Sequence, residues 1–416
     1  MVGLMARMNP RDALMYWLSA KIPNDQFLVY AFAGVTDGVE AMRAHVARRA
    51  PRIADLSVAL RDARWDYPHW VPKSFDAADV VVHEGTGLDD IVGTAVDPLG
   101  SPWRLHVLPG EPLLVVLQLS HALADGRRGA AVARKLFGPA EPDDPPPPDS
   151  SSPLAPLGLP RQFAGFVAAG RRAHRAYRET VRLTAAGDLP PQLDGRPLSQ
   201  LNVAGAGHVT RVLPVDLKNP ATTVTVAALT VVSEALRRHL DEVPPRLGAE
   251  VTVANAGTPS ARNHFRNVGV DLFPDEPDLR RRAELIAAAL RERVRRSGHP
   301  AVTGQGAALY AMPAPMLRAG VARHDLTVTP ATVSGHTVLT SVDRGPADLR
   351  FGGGTVVYTA GFPALSPAMG LTHGLYGIGG ALTLCVHARP AALPDPDAYL
   401  TTVQAAAADV GSALRH

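Results

Sequence analysis

Apolar residues fill every position from Leu113 to Leu119 except Gln118, and this leucine- and valine-rich run predicts a buried strand of about the usual 5–6 residues. The segment 103–108, bounded by Pro102 and Pro109, predicts a second strand that pairs with it. Upstream, Asn9-Pro10 supplies a cap and a first-turn proline for a helix over 11–18; a strand over 27–33 and a helix over 38–49 follow. Downstream, Gly138 closes a helix over 127–137. The intervals 65–71 and 89–91 are less regular.

A compositional break comes next. The stretch EPDDPPPPDSSSPLAPLGLP, residues 141–160, is too rich in Pro, Ser and Asp to pack and predicts a solvated, partly polyproline linker. Beyond it, Phe163, Phe166, Val167, Ala173, Tyr177, Val181 and Leu183 recur at near-helical spacing, which predicts one long helix over 161–186 with arginines on its solvated face. Beyond this helix the elements are read through a family resemblance given below: a strand led by Arg211, a helix within 221–240, the segments 251–254 and 268–273, and a basic helix over 279–296. An alternating strand ALTLCVHA at 381–388 and a final helix over 399–414 complete the chain. The expected organisation is an N-terminal domain over 1–140, a linker over 141–160 and a C-terminal domain over 161–416.

Composition changes this picture little. A chain of 416 residues with 46% hydrophobic content is large enough for two or three domain-sized cores. The net charge is only +3 and no basic strip is interleaved with aromatics, so nucleic acid is not an expected partner. The single cysteine, Cys385, excludes an intramolecular disulfide, fits a reducing cytoplasm and reads as a core residue of its alternating run. The N-terminus lacks a signal peptide's apolar core of about 7–15 residues, and no later run reaches the ~18–20 a membrane helix needs. A cytoplasmic protein without a transmembrane segment is expected. The fifteen histidines form no metal-ligand spacing, and Gly377-x-Gly379-Gly380 does not open a helix after a strand, so neither a metal nor a dinucleotide site is read.

Chemistry concentrates after the 113–119 strand, in SHALADG. His121 stands on the loop, and Asp125-Gly126 immediately precede a helix. An imidazole with an ordinary pKa of ~6.5 takes and returns a proton near neutrality, and a strand end can hold it in a fixed pose, so His121 is the candidate general base. A structural histidine fits the same position, and Asp125 stands where an N-cap would. His373, in LTHGLYG, reads as a loop residue or a lining residue of the site.

His-x-x-x-Asp-Gly after an apolar strand resembles the motif of the CoA-dependent acyltransferase superfamily, which includes chloramphenicol acetyltransferase, carnitine acyltransferases and peptide-synthetase condensation domains. Within it, NPRDALMYWL, RPLSQLNVAGAGHVTRVLPVDLK, ATTVTVAALTVVSEALRRHL, TVLTSVDRGP and the closing ALPDPDAYL are similar to segments of the bacterial wax ester synthase/diacylglycerol acyltransferase family, in the same order. The resemblance implies an α/β fold of two pseudo-symmetric chloramphenicol-acetyltransferase-like domains, each a mixed sheet with flanking helices, joined by the Pro-rich linker and meeting at a tunnel.

It further implies acyl transfer from a thioester to a hydroxyl or amine, ester formation favoured, with His121 as base. Asp125 and Gly126 would be structural, Arg211 is the expected partner of Asp125, and Ser120, Thr340 and Ser341 are candidate oxyanion or acceptor contacts. No cofactor would be resident. Acyl-CoA or acyl-pantetheine would be co-substrate and a small molecule the acceptor, with an acyl carrier protein and peripheral membrane contact open as partners. Ser120, Ser199, Thr225 and Ser341 replace the family's His, Asn, Asn and Asn, which implies a re-lined acceptor side and a specialised metabolite as substrate. Storage-lipid synthesis and a catalytically silent binding relative are the alternatives.

Overall fold

The computed structural model describes residues 7–145, 159–217, 221–257, 259, 261–325, 328 and 330–415. Its strands are, in chain order, β1 (Gln26–Ala33), β2 (Val58–Arg61), β3 (His69–Pro72), β4 (Val80–Val82), β5 (Trp103–Leu108), β6 (Leu113–Leu119), β7 (Val209–Val215), β8 (Gly248–Ala254), β9 (Phe265–Asp271), β10 (Thr337–Asp343), β11 (Arg350–Phe351), β12 (Gly354–Gly361), β13 (Leu371–Ile378) and β14 (Ala381–Ala388). They form two mixed six-stranded sheets, β11-β12-β1-β6-β5-β4 and β7-β14-β13-β10-β8-β9, with β2 and β3 as a separate hairpin.

The first sheet is built around the predicted 113–119 strand. β6 pairs antiparallel with β1 and with β5, Leu117 facing Leu28 on one side and Leu105 on the other. Below it, Trp103, Tyr30, Phe32, Phe137 and Phe351 are fully buried in one apolar cluster. In the second sheet the central strands β13, β10 and β8 run parallel, and helices Val224–His239 and Pro396–Ala413 cover its core. A third cluster joins the sheets: Phe27, Val29 and Val116 from the first meet Val342, Tyr376 and Cys385 from the second. Burial pushes the Cys385 thiol up to about 12, in keeping with a core residue.

Two features depart from the sequence reading. The division expected between 1–140 and 161–416 is not a division between sheets, because β11 and β12, far into the second part, complete the first sheet through the β1–β12 pairing. The long helix expected over 161–186 is present as Leu159–Ala185, but its arginines do not have the solvated face to themselves: Phe163, Val167, Tyr177 and Val181 are roughly half exposed. Its neighbours are the short segments over 300–310 rather than a sheet, so only part of its apolar stripe is covered. Of the predicted linker, residues 146–158 lie outside the described residues. Residues 141–145 are docked on the first half, with Glu141 paired to Arg48 and Arg49 and Asp144 to Lys135. No helix among the described residues is long and apolar enough to cross a membrane.

Gln118, the polar break in the strand pattern, has a physical reason. Fully buried, it donates through Nε2 to Asp25 Oδ2 (2.8 Å) and faces His106 Nε2 with Oε1 (2.8 Å), and His106 Nδ1 meets His83 Nε2 (2.8 Å). Burial raises the Asp25 carboxyl to about 6, against the donors Val96 N and Gln118 Nε2, and lowers the His106 imidazole to about 4, so that the imidazole stays neutral. Gln118→Leu would preserve the apolar pattern yet leave His106 Nε2 unpaired and Asp25 Oδ2 with Val96 N as its remaining donor, the unpaired nitrogen costing about 1–3 kcal/mol. We expect lower stability in urea unfolding; an unchanged midpoint would show that the chain is energetically idle.

Candidate active site

β6 ends at Leu119, and the next five residues form a tight turn: Ser120 N donates to Pro102 O and Leu123 N to Ser120 O, both at 2.8 Å. Asp125 then caps helix Gly126–Phe137, its Oδ1 accepting from Arg128 N at 2.9 Å. That short path places His121 at a cavity of about 350 Å³ between the two sheets, which β1, the His121 loop, β8, β9 and β10 all line. The imidazole lies parallel to Phe265, centroids 5.7 Å apart. Its Nδ1 is buried without a hydrogen-bond partner among the described residues. Burial pushes the imidazole below the ordinary histidine value, with the Asp125 charge opposing.

The loop is gripped from the other half of the chain. Asp125 Oδ2 accepts from His264 N (2.9 Å), and Asn263 Nδ2 donates to His121 O (2.7 Å). Asp12, on helix Pro10–Ser19, anchors the same segment by accepting from Arg262 N, Asn263 N and Asn263 Nδ2, each at 2.9 Å. The Arg262 guanidinium stacks on Trp70 (4.6 Å) and pairs with Asp55, which also accepts two bonds from Arg128 (2.9 and 2.8 Å). Burial works to raise the Asp55 carboxyl, but Arg262 and Arg128 outweigh it and hold the group below the usual carboxylate range.

Of the residues singled out by sequence, His121, Asp125, Gly126, Thr340 and Ser341 line this cavity. Thr340 Oγ1 shares a hydrogen bond with Thr252 Oγ1 (3.1 Å), whereas the Ser341 hydroxyl makes none among the described residues. A Cβ at Gly126 would come only to 3.4 Å from Val342, ordinary contact; the tight glycine is Gly129, where a Cβ would lie 3.1 Å from Leu28 as the helix packs on the sheet. Three expectations need correction. Arg211 is not the partner of Asp125: it lies on β7, at the edge of the second sheet, and pairs with Asp397 at 2.6 Å, while Asp125 is held by backbone N–H groups. Ser120 is fully buried and serves the turn, accepting from Ala122 N, instead of facing the cavity. His373 is neither loop nor lining: it sits inside β13, bonded to Thr337 Oγ1 and Tyr399 OH at 2.9 Å, and burial lowers it to about 3. Among the four replaced family positions only Ser341 reaches the cavity; Ser199 turns back on Asn202 and Thr225 lies in helix Val224–His239.

No family model and no curated protein matches the chain. Solved structures do. The wax ester synthase/diacylglycerol acyltransferase from Marinobacter aquaeolei VT8 superposes over 97% of this chain and 98% of its own, with 17% identity and a TM-score of 0.61. TRI3 trichothecene 15-O-acetyltransferase from Fusarium sporotrichioides covers 99% and 95% with 9% identity and a TM-score of 0.59. The starter condensation domain of rhizomide synthetase, solved with C8-CoA and Leu-SNAC, covers 99% and 94% with 14% identity and a TM-score of 0.55. The chain therefore shares the two-sheet fold of these structures.

On this fold, sequence reasoning missed the anchors of the His121 loop, Asp12 and the segment Arg262-Asn263-His264. Asp12 had a signal, the Asp-Ala pair in NPRDALMYWL; the 262–264 segment, between two strands of the second sheet, had none. Two substitutions separate real from apparent partners. Asp12→Ala leaves three N–H groups without their acceptor, and we expect both melting temperature and activity to fall, the former by the equivalent of about 2–3 kcal/mol. Arg211→Ala, which breaks only an exposed pair, should change neither. Thermal unfolding with a rate assay checks both, and equal effects from the two variants would contradict the assignment.

Proposed function

We propose that the protein is an acyltransferase that moves an acyl group from a thioester, either acyl-CoA or a carrier protein's pantetheine arm, to a hydroxyl or amine of a small specialised metabolite, ester formation being favoured. The observation that carries this reading is a single one: His121 lies at the cavity between the sheets with its backbone carbonyl held by Asn263 Nδ2. The fold shared with named acyltransferases supports the class, and C8-CoA in the condensation-domain relative supports a thioester donor. A volume near 350 Å³ is at the low end of the ~300–1,000 Å³ of small-molecule sites, which favours compact reacting groups over two long lipid chains.

In the proposed reaction, His121 Nε2 removes the proton of the acceptor O–H or N–H as that atom attacks the thioester carbonyl carbon. The carbonyl oxygen becomes an oxyanion. Collapse of the tetrahedral intermediate breaks the C–S bond, and the imidazolium returns its proton to the leaving thiolate. For Nε2 to carry a free lone pair, the ring proton has to sit on Nδ1. Asn263 is the neighbour able to favour that tautomer: its Nδ2 holds His121 O, and its Oδ1, like His121 Nδ1, is buried without a hydrogen-bond partner among the described residues. Ser341, with its hydroxyl uncommitted at the cavity wall, is the favoured oxyanion donor, and Thr340 is disfavoured by its bond to Thr252.

Incubation with a panel of acyl-CoAs and alcohols or amines, read by intact mass, should give a product of acyl plus acceptor and an equal amount of free thiol. His121→Ala should lower kcat/KM by about 10²–10⁴-fold with an unchanged melting temperature. A loss under tenfold removes His121 from the role of base. Ser341→Ala should cost about 10²–10³ in kcat, and Thr340→Val much less; the reverse order would move the oxyanion to Thr340.

A further inference from the structure

Four arginines among the described residues are fully buried: Arg49, Arg196, Arg282 and Arg344. Three reach a carboxylate, Arg49 with Glu141 at 3.2 Å, Arg196 with Asp271 at 2.6 Å and Arg282 with Glu234 at 2.7 Å. Arg344 pairs with none among the described residues. It follows β10 directly and lines the cavity that holds His121. A guanidinium remains charged in any protein environment, and taking it out of water without an anion is costly.

What the protein supplies instead is partial. Nη1 donates to Val29 O at 3.2 Å and to Thr359 Oγ1, and the rings of Tyr376 and Tyr30 lie 4.5 and 5.1 Å from the guanidinium carbon, close enough for cation–π attraction. Nε is buried without a partner and Nη2 makes no hydrogen bond among the described residues. Those two N–H groups share the edge of the fork that grips a carboxylate with two parallel bonds. The single carboxylate lining the cavity, Asp125, is held by the backbone N–H groups of Arg128 and His264 and makes no ion pair with Arg344. The neighbouring Asp343 turns back to accept from Gly345 N. With Arg127 also on the wall, the cavity is lined by two guanidinium groups and one carboxylate.

We propose that Arg344 binds a carboxylate carried by one of the two reactants, so that this site takes an acidic acyl group or an acidic acceptor. The proposal rests on reading the cavity as the acyl-transfer site, but its test is a binding measurement that needs no turnover. Isothermal titration of the full chain would compare matched pairs in two arms. On the donor side, dicarboxylic acyl-CoAs of three to six acyl carbons are set against straight-chain acyl-CoAs of equal length. On the acceptor side, aliphatic and aromatic hydroxy and amino acids are set against their methyl esters. In one arm the acid should bind at least tenfold more tightly than its neutral partner, which identifies the reactant. Arg344→Gln should bring that ratio within twofold, and Arg344→Lys, which keeps a charge but not the fork, should leave it intermediate. Acid and neutral members that bind alike in both arms, or a preference that survives Arg344→Gln, would overturn the proposal. Should Arg344→Gln fail to fold, an undiminished preference in Arg344→Lys would overturn it equally. Acid preference together with absent transfer would retain the Arg344 site and reject the acyltransferase reading instead.

Discussion

The position of His121 depends on the grip that residues 262–264 and Asp12 exert on its loop. A loop of six residues after a central strand has no packing of its own to fix it, and here four backbone groups are bonded to buried carboxamide or carboxylate groups: Arg128 N and His264 N to Asp125, His121 O to Asn263, and Asn263 N to Asp12. Hydrogen bonds to charged groups are worth about 1.5–3 kcal/mol each, more than the loss of loop freedom at one or two residues. The same contacts tie three stretches of chain, near 12, 121 and 263, into one body. The cavity exists because these stretches meet, and β12 crossing into the first sheet keeps the sheets together.

Low dielectric then treats the two basic groups of the cavity in opposite ways. An imidazole can shed its proton, so burial leaves His121 neutral and available as a base. A guanidinium cannot, so burial leaves Arg344 charged and in need of an anion, and two tyrosine rings and two oxygen acceptors answer only part of that need. A site so arranged favours a reactant that brings negative charge to one end and a proton to give up at the other.

The strand at 113–119, the capped helices and the role of Asp125 as an N-cap were legible in sequence because each depends on neighbours within a few residues. Thr340 and Ser341 were found through family resemblance, which carries long-range order that periodicity lacks. Arg211 failed for the complementary reason: an arginine on a strand says nothing of which carboxylate it meets, and Asp397, on the last helix, is nearer. The apolar stripe of Leu159–Ala185 predicted burial but not how much of it the rest of the chain covers. Gln118 looked like a flaw in a strand and is the centre of a buried polar chain, a distinction that only its partners Asp25 and His106 reveal.

The central claim is that a buried, neutral His121 removes the acceptor's proton. Burial disfavours the imidazolium, so the pKa lies below the ordinary 6.5 and activity persists as pH falls until the ring is protonated. The direct measurement is kcat/KM against pH with a neutral alcohol as acceptor. The account expects a plateau around neutrality, an acid limb with an apparent pKa below 6.5, and no such limb in the residual activity of His121→Gln. A limb at or above 6.5, or the same limb in the variant, would contradict it.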